Sequence, residues 1–397
     1  MQDVGRQVAR EIRAMTRKEV IVKAIDGQLT WLQAADILGL TPRHLRRLKR
    51  TWEQRGYDGL QDQRGRTPRR RRIPVPVIAR LCRLRRERYP DFSIQHFWEK
   101  ATEQHGFQLS YTWTRLVLQA AGLAPKAPGR GRYRRQRERR PMIGMLVHLD
   151  GSTHPWIPGL PPRDLIVALD DADGRILSGR FWDQESTAST FHALDHVLRT
   201  YGRFAALYTD RGSHFCRTAI AGAPPDDAYD TQVGRALKAL GIRHIRARSP
   251  EARGRSERNF GTLQGRLPPE LRVAGITDYA AANTYLTTTF LPDFNRRFTV
   301  KPAQPASAFV RLAGVDLRLL LSRQHERLVR NDNTVSFERL VLQLPPSRHR
   351  VHYVRCPVLV HEFPDATLGI SYQGRLLARY TRQGTLLEAP AATGRVA

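Results

Sequence analysis

Between Gly144 and Leu267 the sequence alternates short apolar runs with amphipathic stretches, and this alternation constrains the fold more tightly than any other feature of the chain. Met145 to Asp150 reads as a buried strand that ends in a carboxylate, and Leu165 to Leu169 reads as a second. The Asp171-Ala-Asp-Gly174 turn then leads into a third strand through Trp182. Ser186 or Thr187 caps a helix whose apolar positions Phe191, Leu194, Leu198 and Tyr201 fall on one face. Ala205 to Asp210 forms a fourth strand, again closed by a carboxylate. A helix over Gln232 to Leu240 stops at Gly241, a fifth strand covers Ile242 to Ala247, and a last helix covers roughly Gly254 to Leu267. The expected order is βββαβαβα, an α/β core.

Strand-end carboxylates are suited to divalent metal, because hard cations want oxygen ligands and a rigid sheet fixes their separation. Asp150 and Asp210 supply two, and Glu251 or Glu257 can supply a third. At about 100° per residue, Phe260, Leu263 and Leu267 define the packed face of the last helix. Glu257 then lies about 85° from its centre, at the rim, and Glu251 about 155° away, toward solvent. Helix geometry selects Glu257. Two metal ions about 4 Å apart on such acids activate a water or a 3′-hydroxyl and stabilise the leaving oxygen in in-line attack on a phosphodiester. Asp170, Asp171 and Asp173 read as turn residues. His148 shares the face of Asp150, as a satisfied core or phosphate-facing histidine more than as a ligand. Arg211 either holds a phosphate or starts the turn.

The charge balance says what the rest of the chain holds. Its 397 residues carry a formal charge of +29, a field that attracts a polyanion, and nucleic acid is the commonest one. A membrane surface is the weaker partner: no run of apolar residues is long enough to span a bilayer, and the charged start MQDVGRQVAREIRAM is no signal peptide. The expected location is the cytoplasm, on the nucleoid. Cys82, Cys216 and Cys356 are isolated, which argues against a disulfide framework and against a cysteine-based zinc site.

Val4, Val8 and Ile12 suggest a short N-terminal helix. Thr30 to Gln33 matches a capping box, a helix follows to Gly39, and Thr41-Pro42 opens another. This is helix-turn-helix grammar, placed in a DNA-binding domain at residues 1–63. On the second helix Leu45, Leu48 and Trp52 share one face, while Arg43, Arg46, Arg47 and Arg50 share the opposite one. That face can enter a major groove, or it is a solvated basic surface. Residues 64–74 form an arginine-rich linker with Arg64, Arg66, Arg69 and Arg70, which lies along phosphates or in a minor groove, or serves as a solubilising tether. Residues 75–124 read as a second helix-turn-helix or winged-helix module, in which Phe97, Trp98 and Trp113 are core residues. A second arginine-rich linker, 125–141, carries Arg130, Arg132, Arg134 and Arg135 into the core at 142–310. Residues 330–385 alternate over Thr334–Phe337, Leu340–Leu344, Val351–Val354, Val358–His361, Leu368–Tyr372 and Leu376–Tyr380, the pattern of a small antiparallel β-barrel. That barrel binds DNA, joins a second protomer, or caps the fold. Residues 386–397 are an expected disordered tail.

The segments LVHLDGSTHPWIPG, LIVALDDADGRIL, ALYTDRGSHF and SPEARGRSERNFGTLQGRL resemble the integrase-core DDE transposases of bacterial insertion sequences, of the ISNCY-type group. Asp150 stands before a Gly-Ser step, Asp210 before a glycine turn and Glu257 in a G-R-x-E-R helix, as in that family. The resemblance implies a ribonuclease-H-like core in a multidomain chain. It also implies a magnesium-dependent site, with Mn²⁺ as a substitute, and cut-and-join chemistry on double-stranded DNA, at transposon ends and target alike. Two DNA ends must be held together, so it implies a homo-oligomer, at least a dimer. The second and third acids are farther apart than in better-known members, and Ala219 to Asp230 has the composition of a loop that absorbs the difference. Two other functions fit parts of the pattern: a transposase-derived DNA-binding regulator with an inactive core, and a structure-selective DNA nuclease.

Overall fold

A computed structural model describes residues 18–60, 73–125, 138–216, 230–247, 254–346 and 350–387. Two compact units are present, Met1–Ala79 and Arg80–Ala397. The expected helix at Val4–Ile12, the arginines of both linkers, the loop before Glu257 and the C-terminal tail lie wholly or largely outside the described residues.

The first unit is helical. Helix α1 is described at residues 18–25, followed by α2 (Trp31–Leu38), α3 (Pro42–Arg55) and a 3-10 turn at Gly56–Leu60. Thr30 and Gln33 form the reciprocal capping box at the start of α2. Gly39 closes α2 in the left-handed region, at φ 59°, where a side chain would be strained. Thr41 caps α3 from outside, with Pro42 in its first turn. Ala24, Ala34, Ala35 and Leu45 form the buried centre between the three helices, with Val20, Leu38 and Leu48 around them.

The second unit opens with α4 (Val75–Glu87, whose first residues belong to the first unit), α5 (Ile94–His105) and α6 (Tyr111–Ala120). Phe97 and Leu118 are fully buried, whereas Trp98 is half-buried and donates its indole N–H to Leu109 O at 2.7 Å. The α/β core then runs β1 (Val147–His154), β2 (Arg163–Asp170), β3 (Ile176–Trp182), α7 (Thr187–Thr200), β4 (Ala206–Thr209), α8 (Gln232–Ala239), β5 (Arg243–Arg246) and α9 (Gly254–Val273). The strand order across the sheet is β3-β2-β1-β4-β5. β1 pairs antiparallel with β2 and β2 with β3, while β4 lies parallel to both β1 and β5. Alternation along the strands separates two cores. Val147, Leu149, Ile166 and Ala168 pack toward Phe191, Leu194 and Leu237 of α7 and α8. Leu165, Val167 and Leu169 pack toward Phe260, Leu263 and Leu267 of α9.

Strand ends differ from the sequence reading by a residue or two, with β4 stopping at Thr209 before Asp210, and two boundaries differ by more. β1 does not end at Asp150: it continues to His154, because its polar residues stay paired with β2 as far as His154↔Arg163. What stops near Asp150 is the parallel neighbour, β4. Helix α9 does not end at Leu267 but runs through Pro268 and Pro269 to Val273, its second half held by fully buried Leu271 and by the ionic contacts of Glu270. Tertiary packing here overrides the usual proline stop.

Helix α10 (Tyr279–Tyr285) passes through a π turn, Leu286–Phe290, into α11 (Leu291–Phe298). Their asparagines cover the sheet's edge strand. Asn295 both accepts from Ile176 N and donates to Ile176 O at 2.8 Å, and Asn283 accepts from Phe181 N at 2.8 Å.

After α12 (Leu317–Leu320) come β6 (Arg323–Leu328), β7 (Thr334–Phe337), β8 (Leu340–Gln343), β9 (Pro357–Glu362), β10 (Leu368–Tyr372), β11 (Arg375–Tyr380) and β12 (Leu386–Leu387). Among the described residues they make an antiparallel sheet, β12-β11-β10-β9-β6, and a separate hairpin, β7-β8. The expected barrel does not close in this pairing. Val351–Val354 is no strand: Val351 is 91 % exposed and Arg355 turns the chain at φ 58°. Strand β6 escapes sequence reading because its residues, RQHERL, show no apolar alternation, as suits an edge strand. Arg235 of α8 ties this sheet to the core by donating to Leu320 O at 3.0 Å and Ser322 O at 2.8 Å. All three cysteines are free and buried. No described helix is long and apolar enough to cross a membrane.

Candidate active site

Residues 148, 150 and 152 point to the α9 side of the sheet, because their partners Leu169, Val167 and Leu165 belong to the core on that side. The parallel register of β1 with β4 pairs His148 with Tyr208, whose rings lie 5.0 Å apart. The pairing ends there: Asp150 follows His148 by two residues within β1, and Asp210 follows Tyr208 by two residues, just past the end of β4, so the two acids lie toward the same end of neighbouring strands. Asp150 is buried at 7 % exposure, and Asp210 is half-buried just past the end of β4. The turn after Asp210 is fixed by the Gly212 N–H, which donates to Asp210 Oδ1 at 2.8 Å. A methyl group on Gly212 would meet that oxygen at 3.2 Å and His214 at 2.9 Å, so the close approach requires glycine. Two carboxylates side by side on a half-buried face repel each other unless a cation or proton separates them.

Glu257 lies in the first turn of α9 and is exposed. The helix is positioned by Gln264, whose Nε2 donates to Ser152 Oγ at 2.9 Å. Glu257 lies two turns earlier on nearly the same flank, about 20° around the axis and about 10 Å toward the N-terminus. Arg255, two residues before Glu257, reaches Asp171, which also contacts His148, so the first turn of α9 lies near the β1 residues just before Asp150. Among the described residues, no three acidic, histidine or cysteine side chains already converge tightly enough to hold a metal ion. Asp150 and Asp210 lie toward the same end of neighbouring strands, while Glu257 is exposed at the surface. Glu251 lies outside the described residues.

The turn after β2 is more than a turn. Asp170 accepts from Gly144 N at 2.7 Å and Ala172 N at 2.8 Å, and Asp173 accepts from Arg175 N at 2.9 Å, as turn aspartates do. Asp171, only 1 % exposed, instead joins separate parts of the chain. Its Oδ1 lies 2.8 Å from His148 Nε2, its Oδ2 accepts the Arg140 N–H at 2.7 Å, and Arg255 of α9 donates to it. Burial alone would raise its carboxyl, but the His148 contact, the Arg140 N–H and the Arg255 charge outweigh it and hold Asp171 well below the ordinary carboxylate range. Sequence reasoning missed this residue, although it lies two positions past Leu169, on the face of His148, and that periodicity was the available signal. It also missed Glu185, just ahead of α7. A methyl group on Gly151 would meet Glu185 Oε2 at 2.8 Å, and Glu185 Oε1 lies 3.3 Å from His214 Nε2, close enough for charge attraction though without hydrogen-bond alignment.

In the first unit, Arg43, Arg46, Arg47 and Arg50 are all exposed on α3, while Leu45 is buried and Leu48 and Trp52 are half-buried on the other face. The helix therefore offers a basic surface to solvent. Arg64, Arg66, Arg69, Arg70, Arg130, Arg132, Arg134 and Arg135 lie outside the described residues.

Comparison with known proteins matches residues 17–84 to the winged helix-turn helix family. Over 373 residues the chain is 34 % identical to the protein named "Putative transposase y4bF" of Sinorhizobium fredii (strain NBRC 101917 / NGR234), covering 93 % of this chain and 81 % of that one. Over 378 residues it is 29 % identical to the transposase for insertion sequence IS1202 of Streptococcus pneumoniae, covering 86 % of this chain and 80 % of that one. A solved chain of the simian T-cell lymphotropic virus intasome, in complex with PP2A regulatory subunit B56 gamma, is similar at 14 % identity and a TM-score of 0.34, over 79 % of this chain and 99 % of that chain. The curated relatives match along nearly the whole sequence, and the chain belongs to the family of bacterial insertion-sequence transposases.

Proposed function

We propose that this transposase binds the terminal inverted repeats of its element through the helix-turn-helix domain. We further propose that it cleaves and joins DNA strands at a DDE site of Asp150, Asp210 and Glu257, in a ribonuclease-H-like core. The β1–β4 pairing supports this reading, since Asp150 and Asp210 each lie two residues past the paired His148 and Tyr208 on neighbouring strands. The donor set fits a hard divalent cation: carboxylate oxygens on a rigid sheet, with a third acid on the adjacent helix. Two Mg²⁺ ions, or Mn²⁺ in their place, would supply activation of a water or 3′-hydroxyl and neutralisation of the leaving oxygen. Asp150, held in the sheet, and Asp210, oriented by the Gly212 N–H, fix the oxygens that define where attack occurs. Glu257 closes the site from the helix. Arg43, Arg46, Arg47 and Arg50 read the groove, and the two linkers at 64–74 and 125–141 follow phosphates into the core at 142–310. The C-terminal sheet, residues 330–385, adds a further surface for DNA or a second protomer. Holding two ends calls for at least a dimer, acting on the nucleoid.

The test uses labelled duplexes cut from the DNA on either side of this gene, incubated with the protein and Mg²⁺. Wild type should both nick and join. Asp150→Asn, Asp210→Asn and Glu257→Gln should each lose both reactions while binding the duplex with unchanged affinity, and a variant that stays fully active removes its residue from the site. Nicking without joining would identify a nuclease, and binding without either reaction a regulator.

A further inference from the structure

Asp171 joins three parts of the chain that meet beside the proposed catalytic residues, on the α9 side of the sheet. The first is Arg140, the last described step out of the arginine-rich segment, whose backbone N–H donates to Asp171 Oδ2 at 2.7 Å, while the neighbouring Arg139 side chain donates to Asp171 O at 3.2 Å. The second is His148, two residues before Asp150 on the same face and 1 % exposed. The third is Arg255, two residues before Glu257, which donates to both the main-chain and side-chain oxygens of Asp171. Arg255 is 15 % exposed and Asp171 1 %, so their attraction is poorly screened by water. In the first turn of α9 the leading N–H groups have no partner within the helix, Ser256 is buried, and Glu257 and Arg258 are exposed, while Gln264 meets β1 about 10 Å farther along the axis.

We propose that Asp171 is a positioning residue, which acts through Arg255 to hold the first turn of α9 and so to set Glu257 over the Asp150 and Asp210 pair. The assignment rests on the DDE reading. Through His148 the same carboxylate steadies the strand that carries Asp150, so one buried acid fixes both sides of the site. Its own oxygens are taken up by a backbone N–H, an imidazole and a guanidinium, which keeps it a support and not a ligand.

Three measurements on Asp171→Asn, Arg255→Gln, Arg255→Lys and the Asp171→Asn/Arg255→Gln double variant test this. The first is hydrogen exchange in the metal-free protein at the amides of residues 258–261, which bond back to the carbonyls of the first turn. The second is the Mg²⁺ concentration giving half-maximal nicking of a supercoiled plasmid that carries the gene with its flanking DNA. The third is affinity for that DNA. Asp171→Asn and Arg255→Gln should speed exchange in the first turn and raise the half-maximal Mg²⁺ concentration by about 10- to 100-fold, the range of supporting contacts at metal sites. DNA affinity should not change. The double variant should be no worse than the worse single, and Arg255→Lys should recover part of the loss. Unchanged exchange and unchanged Mg²⁺ dependence in Arg255→Gln would overturn the proposal, as would single losses that multiply in the double variant. If Asp171→Asn fails to fold, Arg255→Gln and Arg255→Lys decide alone, because their side chain sits at the edge of the network. Asp150→Asn run in parallel separates the two ideas: full activity there sinks the DDE reading, while the exchange measurement still judges the clamp.

Discussion

His361 sits between Ser322 Oγ and Ser371 Oγ, each 2.7 Å from a ring nitrogen, and is 1 % exposed. Burial pushes its pKa from 6.5 down to about 4, and the nearby Arg235 charge pushes the same way. A base whose pKa falls on folding binds its proton more readily in the unfolded chain. The stability it contributes is therefore complete above about pH 6.5 and is lost as pH falls toward 4. The shift corresponds to about 3 kcal/mol. Calorimetric melts between pH 7.5 and 4.5 should show this loss in wild type and a flatter profile in His361→Asn. Equal profiles would mean that the ring's pKa does not change on folding. Nothing in the local sequence marks His361, because Ser322 and Ser371 lie far away along the chain and a lone histidine on a strand has many uses. Asp150 and Asp210 are different. Each ends or follows an apolar run, so the strand pattern alone locates Asp150 within β1 and Asp210 at the end of β4. Asp171 and Glu185 are intermediate: their positions were readable, but Arg255, Gly151 and His214, which give them meaning, come from other elements.

At the scale of elements, helix ends were the most legible part of the chain. Thr30 with Gln33, Thr41 with Pro42, and Ser186 all cap as their side chains dictate, and Gly39 closes α2 through its left-handed backbone, since capping is a matter of residues a few positions apart. The strand β6 and the far half of α9 were not legible, because charged edge residues and two prolines carry the opposite local signal. Thr41 accepts from His44 N at 3.3 Å, so Thr41→Ala should cost about 1 kcal/mol in the first unit and lower its melting temperature. The basic face of α3 makes a separate prediction. Each arginine that neutralises a phosphate adds about 0.9 to the slope of log affinity against log salt. Replacing Arg43, Arg46, Arg47 and Arg50 by glutamine should flatten that slope and erase preference for the element's ends in anisotropy titrations. A preference that survives unchanged would leave α3 as a solvated face.

Across the second unit, α5 and the segment just before it are fastened to the core by charge. Glu270 of α9 accepts from His96 at 2.7 Å and lies 2.7 Å from Lys100 Nζ, both on α5, with only 8 % of its surface exposed. Burial would raise its carboxyl, yet the His96 and Lys100 contacts outweigh this and hold it below the ordinary range. Around this centre Arg266 reaches Glu99 at 2.7 Å, Arg297 reaches Glu103 at 2.5 Å, and Arg272 reaches Asp91 at 2.6 Å. The acidic residues of α5 are thus spent on the core, which leaves the outward side of α6, with exposed Arg115, to meet any polyanion. No sequence pattern announces such a junction, since its partners are far apart in the chain and each acid alone reads as solvated helix surface. Removing one member of a buried pair strands the other charge, at about 3 to 5 kcal/mol. Glu270→Ala should therefore speed hydrogen exchange throughout α5 while β1, β2 and β3 keep their protection. The exposed pair of Arg272 and Asp91 is screened by solvent, so Asp91→Ala should change exchange little. If Glu270→Ala left α5 as protected as in wild type, apolar packing around Phe97 and Leu118 would have to hold the helices in place without the ionic contacts.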